Sequence, residues 1–404
     1  MQLAQRISSI SEPQTIKMAK LGRELKAKGI NIVDLSLGEP DFKTPEHICE
    51  AAVKAMEDGY TKYTPVAGYP ELLEAISGKL KRDNNLDYAA NEIMVSTGAK
   101  QSLANAILAL VDPGDEVIIP TPFWVTYASL VEFAGGVVRY INCGIDTDFK
   151  LRPEELEANI TAKTKLFIFS SPCNPTGSVY SRDELAGLAE VFNRHPQVGI
   201  ISDEIYEYIN FADGHQSIAQ FTELRDRVVI VNGMSKGFAM TGWRLGYLVA
   251  PREVIQACDK LQAQFTSGTN SIAQRAAITA LTSDLAPTHK MTEAFRQRRD
   301  YVIGELRKMP GINVNVPEGA FYAFPDISSF FGRSVDGHTI NNADDMSMYL
   351  LHVAHVSTVT GTAFGDDSCI RISFATSMNN LTEAMKRIGT ALEKLAPVAE
   401  QVFS

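Results

Sequence analysis

Seven short β-branched runs decide the fold: EIMVS at 92–96, DEVIIP at 115–120, GVVRYI at 136–141, KLFIFS at 165–170, VGIIS at 198–202, RVVIVN at 227–232 and LGYLVA at 245–250. Most are separated by stretches with helical apolar spacing. Such alternation predicts an α/β fold whose large domain holds a mainly parallel sheet flanked by helices. Between two of the runs, Ser181 and Glu184 have the spacing of a capping box for the helix that follows.

Outward from this block the pattern changes. On the N-terminal side, 21–28 has helical spacing and ends at Gly29, NIVDLSLG at 31–38 reads as a short strand, and Thr44-Pro45 predicts a helix capped by the threonine that closes at Gly59. On the C-terminal side, helical patterns run from Pro251 to about Met309. GAFYAF at 319–324, HVSTVTG at 355–361 and CIRISFA at 369–375 then predict a smaller mixed sheet, and a last helix starts at Leu381. The expected division is a large domain over 48–290 and a smaller α+β domain built from both termini, 1–47 and 291–404. No repeat, low-complexity tract or Gly/Ser/Pro-rich linker separates them, so the two parts should pack closely.

Size and composition narrow the function. At 404 residues the chain exceeds what one hydrophobic core usually holds, and with 45% apolar and 21% charged residues it has the profile of a globular protein. A net charge of -10 disfavours nucleic acid or an anionic membrane as partner, while leaving room for a local basic pocket that takes a small anion. The five cysteines are widely spaced and include no C-x-x-C pair, which argues against a disulfide framework and a zinc site. The seven histidines show no metal-ligand spacing, so no metal is expected. The first 20 residues lack the uninterrupted apolar core of a signal peptide, and no apolar run is long enough to span a bilayer, so a cytoplasmic protein is expected.

In an open parallel sheet, ligands bind beyond the carboxyl ends of the strands. Five groups of polar residues fall there: Thr97-Gly98-Ala99-Lys100 after IMVS, Asn174-Pro-Thr-Gly177 after KLFIFS, Asp203, Glu204 and Tyr206 after VGIIS, Ser235 and Lys236 after VVIVN, and Arg244 eight residues further on. Taken singly each has an ordinary explanation: a solvated lysine, a helix cap, a surface ion pair or a turn. Together they suit one cofactor, pyridoxal 5'-phosphate. A lysine amine condenses with its aldehyde, and an aspartate beside a pyridine nitrogen keeps the ring an electron sink. The N–H groups of a helix start following Gly98, together with Arg244, suit a phosphate dianion.

GEPDF (38–42), GAKQ (98–101), PFW (122–124), NPTG (174–177), SDEIY (202–206), SK (235–236) and TGWRLG (241–246) resemble the class I aminotransferases of pyridoxal-phosphate fold type I, over essentially the whole chain. The likeness is greatest to the bacterial aspartate and prephenate aminotransferase branch. It implies that Lys236 anchors the cofactor and shuttles the proton, that Asp203 partners the pyridine nitrogen, and that Tyr206 and Asn174 contact the ring oxygen. Trp124 would stack on the ring, with Gly98, Ala99, Lys100, Ser235 and Arg244 around the phosphate. Arg371 would grip the substrate α-carboxylate beside the backbone of Gly38, with Trp124 and Asn174 also touching substrate. Tyr63, in KYTPVAG, would reach the phosphate of a neighbouring subunit, implying a homodimer with shared active sites. One departure stands out: Gly233 occupies a position where the family often has a serine.

The resemblance also implies the substrate class. Lys100, with Gln14 and Thr15, falls where the aspartate-using branch binds a distal carboxylate, so an amino group should move between aspartate or glutamate and a 2-oxo acid. Prephenate or an aromatic amino acid is the alternative, followed by a β-lyase or racemase on the same fold. Asp203 favours transamination over racemisation, because an arginine there would leave the ring nitrogen unprotonated. A DNA-binding regulator would need a helix-turn-helix segment and a basic face, and a dehydrogenase would need G-x-G-x-x-G after a strand; the sequence has neither.

Overall fold

The structure, a computed structural model, describes residues 4, 7 and 14–395. The chain opens with α1 (Gln14–Ala27), β1 (Val33–Asp34), α2 (Glu46–Glu57) and α3 (Pro70–Asn84). It continues through β2 (Ile93–Ser96), α4 (Ala99–Leu110), β3 (Glu116–Thr121), α5 (Thr126–Ala134), β4 (Val137–Asn142), α6 (Pro153–Asn159) and β5 (Thr164–Ser170). Then come α7 (Arg182–Arg194), β6 (Gly199–Asp203), β7 (Val228–Gly233) and β8 (Gly246–Val249). Each of the seven predicted runs supplies one strand of a single sheet, ordered β2-β8-β7-β6-β5-β3-β4.

Strands β3 to β7 pair in parallel, whereas β8 runs antiparallel to both of its neighbours. The reversal follows from the connection: 234–245 contains only the 3-10 turn Thr241–Trp243, and without a crossover helix the chain comes straight back. At that fold-back Gly233 lies opposite Gly246, and a Cβ added to Gly233 would sit 2.7 Å from the Gly246 Cα and 3.0 Å from the Leu245 carbonyl oxygen. Strand packing therefore accounts for the glycine at 233.

Adjacent residues of each central strand feed opposite cores. Ile200 and Ile230 join Leu185, Leu188 and Phe192 of α7 on one face; Ile201 and Val229 join Leu103 and Ile107 of α4 on the other. A sheet covered on both sides needs strands that are apolar throughout rather than alternating, and the seven runs read that way.

Beyond the sheet come α8 (Arg252–Phe265), α9 (Ser271–Thr282), α10 (Ala286–Leu306), β9 (Tyr322–Ala323), β10 (Ser334–Val335), β11 (His338–Thr339) and α11 (Ala343–Tyr349). The chain closes with β12 (Val356–Ser357), β13 (Val359–Thr360), β14 (Ile370–Ser373) and α12 (Met378–Glu393). A three-stranded antiparallel sheet, β13-β14-β9, and the parallel pair β1–β12 share a separate core in which Val33 and Leu35 meet Phe295, Ile372 and Leu381. The chain's first strand is thus held by its last hundred residues. Among the described residues no helix is long and apolar enough to cross a membrane.

Four local expectations change. The hydroxyl of Thr44 donates to the Ala239 carbonyl at 2.7 Å and accepts from Trp243 Nε1 at 3.0 Å, so it serves a long-range contact and Pro45 takes the cap position of α2. The 31–38 run pairs only at Val33–Asp34, and 355–361 breaks into two strands at Thr358. The last helix begins at Met378, three residues before the apolar period starts, because Ser377 caps it by accepting from Asn380 N–H. The capping box of α7 forms as expected, with Glu184 N–H donating to Ser181 Oγ at 3.3 Å and Ser181 N–H to Glu184 Oε2 at 2.7 Å.

Candidate active site

A cavity of about 460 Å³ opens where the carboxyl ends of β5, β6 and β7 face the 36–39 loop, Tyr322 and Arg371. Strand β6 ends on Asp203, whose Oδ2 accepts from the Tyr127 hydroxyl at 2.6 Å and whose Oδ1 accepts from Ile205 N–H at 3.2 Å. Burial pushes this carboxyl up to about 6, with the two hydrogen bonds pulling the other way. Lys236 comes from the turn after β7 and donates to the carbonyl oxygen of Gly38. Burial lowers its amine to about 8, and the Arg371 guanidinium adds to the effect. A Cβ on Gly38 would lie 2.8 Å from the Tyr322 hydroxyl, so only glycine lets this loop come so close.

Across the cavity Arg371 is buried. Its Nη1 donates to Asn174 Oδ1 at 3.0 Å and its Nη2 to the Ser36 carbonyl oxygen at 2.7 Å, while Nε has no partner among the described residues. The guanidinium lies 4.4 Å from the ring centroid of Tyr322 and 5.0 Å from that of Phe364. The hydroxyls of Tyr206 and Tyr322 share a hydrogen bond of 2.8 Å, and burial followed by Tyr322 raises the Tyr206 phenol well above its ordinary range. Tyr206 is therefore a neutral group able to donate.

The remaining wall is cationic. Arg244 adopts a left-handed backbone (φ 54°) and donates from Nη1 to the Thr241 carbonyl at 2.8 Å. Its guanidinium fills the space a Cβ on Gly98 would occupy, and Gly98 has φ 84° at the start of α4, so glycine is required there twice over. The N–H groups of Ala99 and Lys100, the first two residues of that helix, have no intrahelical acceptor. The Lys100 ammonium lies 4.9 Å from the Trp124 ring centroid, and its pKa is lowered by burial and then by Arg244.

Of the residues the sequence predicted, Gly98 touches the site only through Arg244, and Tyr63 stands away from the cavity of its own chain, 98% exposed. The side chains of Gln14 and Thr15 lie outside the described residues. Thr97, Glu204 and the stretch 175–177, which also follow strand ends, do not line it: Glu204 turns to His215, Ser217 and Ser202 instead. The other predicted residues, Ala99 and Ser235 included, line the one cavity. Sequence reasoning missed Tyr127, Tyr322, Ser36, Glu39 and Arg23, all of which line it too. Tyr127 lies in the first turn of α5, and its ring meets that of Trp124, just before the helix, edge to face with centroids 5.6 Å apart. Cys173 packs near the Pro122 carbonyl, and burial raises its thiol, as suits a packing residue. The fold also gathers Glu204, Glu207 and His215, with ligand atoms within 4.8 Å, which sequence spacing did not reveal.

Residues 30–388 match the family described as aminotransferase class I and II. The chain belongs to that family. A bifunctional aspartate aminotransferase and glutamate/aspartate-prephenate aminotransferase from Petunia hybrida is 46% identical over 402 residues, covering 98% of this chain and 84% of that protein. An aspartate/prephenate aminotransferase from Nitrosomonas europaea is 45% identical, covering 97% and 100%. Among solved structures, the aspartate aminotransferase of Rhizobium meliloti superposes with a TM-score of 0.95 at 43% identity, covering 98% of this chain and 100% of that one. That of Thermus thermophilus with maleate gives 0.91 at 38% identity, covering 97% and 100%. The mainly parallel sheet is thus the fold type I sheet of these enzymes, and the chain is an amino acid transaminase. For an aminotransferase the cavity holds the required parts: an amine lowered toward neutrality, a buried carboxyl with no ion-pair partner among the described residues, and a guanidinium with donors to spare.

Proposed function

We propose that this aminotransferase works with pyridoxal 5'-phosphate and moves an amino group between aspartate or glutamate and a 2-oxo acid. The observation that carries the reading is the pairing, in one cavity, of a buried Lys236 held at about 8 with a buried Asp203 held at about 6. The residues present fit the cofactor. Asp203 is a buried acid with no ion-pair partner among the described residues, and Arg244 occupies a cradle that exists because residue 98 has no Cβ. Asp203 would face the pyridine nitrogen, Tyr206 and Asn174 the ring oxygen, and Trp124 the ring face; Ser235, Arg244 and the first turn of α4 at Ala99 would hold the phosphate. When bound, the cofactor supplies an aldehyde for an amine and a ring that accepts the electron pair of the substrate's α-carbon.

The chain's own groups do the rest. A lysine near 8 is largely relieved of the ordinary cost of deprotonation at neutral pH, so Lys236, once free, takes the α-proton and would deliver it two atoms away, to the carbon on the far side of the amino nitrogen. Arg371 binds the α-carboxylate through guanidinium N–H donors, helped by the backbone at Gly38. Its contacts with Asn174 and Ser36 fix the guanidinium plane before substrate arrives. The buried Tyr206–Tyr322 pair keeps water from the proton-transfer edge.

The acidic preference rests on Lys100, which forms no ion pair with a carboxylate among the described residues and is therefore open to a substrate's distal carboxylate. Prephenate carries a second carboxylate and is the second reading, favoured by the names of the relatives. Tyr63, almost wholly exposed in the single chain, supports a homodimer in which it reaches the partner's phosphate site. The division at 48–290 against 1–47 and 291–404, and a cytoplasmic location for a chain with five free cysteines, belong to the same reading.

The test is the absorption spectrum of the purified protein mixed with aspartate, glutamate, alanine or phenylalanine, and separately the amination of prephenate. Cofactor absorbance that shifts fastest with aspartate and glutamate is expected. No response to either acidic donor would defeat the dicarboxylate reading, and no cofactor absorbance would defeat the whole.

A further inference from the structure

Helix α3 contributes nothing to the cavity, yet it sends a fully buried lysine to the back of it. Lys79 is 0% exposed. Its ammonium pairs with Glu207 Oε1, donates to Asn84 Oδ1 at 2.7 Å and lies 5.2 Å from the Tyr208 ring centroid. The other oxygen of Glu207 accepts from Asn232 Nδ2 at 2.6 Å, and Asn232 Oδ1 accepts from the N–H of Gly233 at 2.7 Å. The Tyr208 ring in turn abuts Gly237, where an added Cβ would lie 2.7 Å from its Cδ2, and the Tyr208 hydroxyl donates to Asp83 Oδ2 of α3 at 2.6 Å. Glu207 and Tyr208 belong to the turn that carries Asp203 and Tyr206; Asn232, Gly233 and Gly237 flank Lys236.

We infer that Lys79 is a positioning residue for transamination: by pairing with Glu207 it locks the turn bearing Asp203 and Tyr206 to the turn bearing Lys236. The two turns come from parallel neighbours, β6 and β7, whose ladder ends at Asp203↔Val231. Beyond that point no strand pairing holds the turns in register, and the Glu207–Asn232 bond takes over. A carboxylate can make that bond in a dry interior only if its charge is matched, which is what a buried ammonium supplies. The same lysine explains why the cluster of Glu204, Glu207 and His215 calls for no metal: both Glu207 oxygens are already engaged, one of them by a cation. The inference rests on the aminotransferase reading and adds a residue outside the cavity to its machinery.

The full-length protein is compared as wild type, Lys79→Met, the double variant Lys79→Met/Glu207→Gln, and Asn232→Ala. The double variant removes both charges but leaves an amide oxygen for Asn232. Lys79→Met and Asn232→Ala are expected to slow the half-reaction with aspartate roughly ten- to a hundredfold at nearly unchanged KM. They should also move the pH midpoint of the cofactor's absorbance, although Arg371, Glu39, Arg244 and Asp203, the charged groups facing Lys236, are untouched. The double variant should recover both to within about threefold. Wild-type rates and midpoints in Lys79→Met and Asn232→Ala, or a double variant as impaired as the single, would overturn the inference. If Lys79→Met does not fold, Asn232→Ala, which leaves the ion pair intact, decides by the same criteria. Amide hydrogen exchange at 232–237 reads the lock without any reaction: protection should fall in Asn232→Ala, and unchanged protection overturns the lock. Should the wild type take up no cofactor, the reading in the previous section falls while the exchange comparison still decides this one.

Discussion

Asp203 and Glu204 are neighbours at the end of one strand, both are buried, and their charge states are pushed in opposite directions. Strand alternation sends the first side chain into the cavity and the second to the back of the sheet. Asp203 meets a tyrosine hydroxyl and one backbone N–H, not enough to offset burial, so its carboxyl rises to about 6. Burial would raise Glu204 as well. His215 Nε2 at 2.9 Å and the hydroxyls of Ser217 and Ser202 at 2.7 and 2.9 Å outweigh it, and the carboxyl ends below its ordinary value. One carboxyl is satisfied by its own protein. The other has no ion-pair partner among the described residues, at a cost of about 3 kcal/mol above pH 6 for a shift from 3.8 to about 6. A buried acid left short of partners is the signature of a site, and one fully partnered is the signature of a scaffold.

The comparison can be broken by removing groups on either side of the strand. The largest effect is expected on the cavity side, where Lys236→Ala should cut turnover at least about 10³-fold while the protein melts normally, as seen by stopped-flow absorbance and calorimetry. Asp203→Asn should slow the half-reaction by roughly 10²-fold or more, while the cofactor-free protein melts no lower than the wild type, since the cost of burying the ionised carboxyl is gone. Glu204→Gln should do the reverse, lowering stability by about 1–3 kcal/mol in urea titrations yet leaving turnover within about threefold at a permissive temperature. Equal kinetic damage from both carboxyl variants would erase the distinction drawn between them.

Smaller effects sharpen it through pH. A cation bound beside Asp203 must keep it ionised, so cofactor affinity should be fully developed above about pH 6 and weaken as pH falls below, by up to tenfold per unit. Asp203→Asn should flatten that dependence in fluorescence binding titrations. Behind the strand the sign work differs. Glu204 has a lowered folded pKa, so its contribution is present above 4.5 and lost as pH falls further. For His215, burial lowers the imidazole but Glu204 outweighs it, so its raised folded pKa gives stability that is present below 6.5 and lost as pH rises past the folded value. The stability penalty of His215→Gln should therefore be larger at pH 6 than at pH 9.

Much of the cavity side was legible in the sequence, because residues just past apolar strands have one place to go. Asp203, Asn174 and Lys236 each follow a run whose length and β-branching set it in the sheet, and the glycine at 98 marked a sharp helix entry. The groups contributed by the other core were less legible. Tyr322 belongs to a run recognised as a strand, but nothing local shows that Ile372 and Ala323 pair, which is what sets Tyr322 beside Arg371 and Tyr206. Ser36 takes part through a carbonyl, which carries no side-chain signal. Lys79 was least visible of all: in KLKRDN it has the neighbours of a solvated helix face, and only the 128-residue separation closed by the fold brings it to Glu207. Thr44 failed as a predicted cap for the same reason, since a partner 195 residues away outcompeted the local backbone.

The central claim is that Lys236 is the amine that anchors the cofactor. Borohydride reduction of the purified protein, followed by digestion and mass spectrometry, reads the attachment point directly. A pyridoxyl-phosphate mass on the peptide containing Lys236, absent after prior treatment with aspartate, is the predicted result; the mass on another lysine, or on none, would contradict the account.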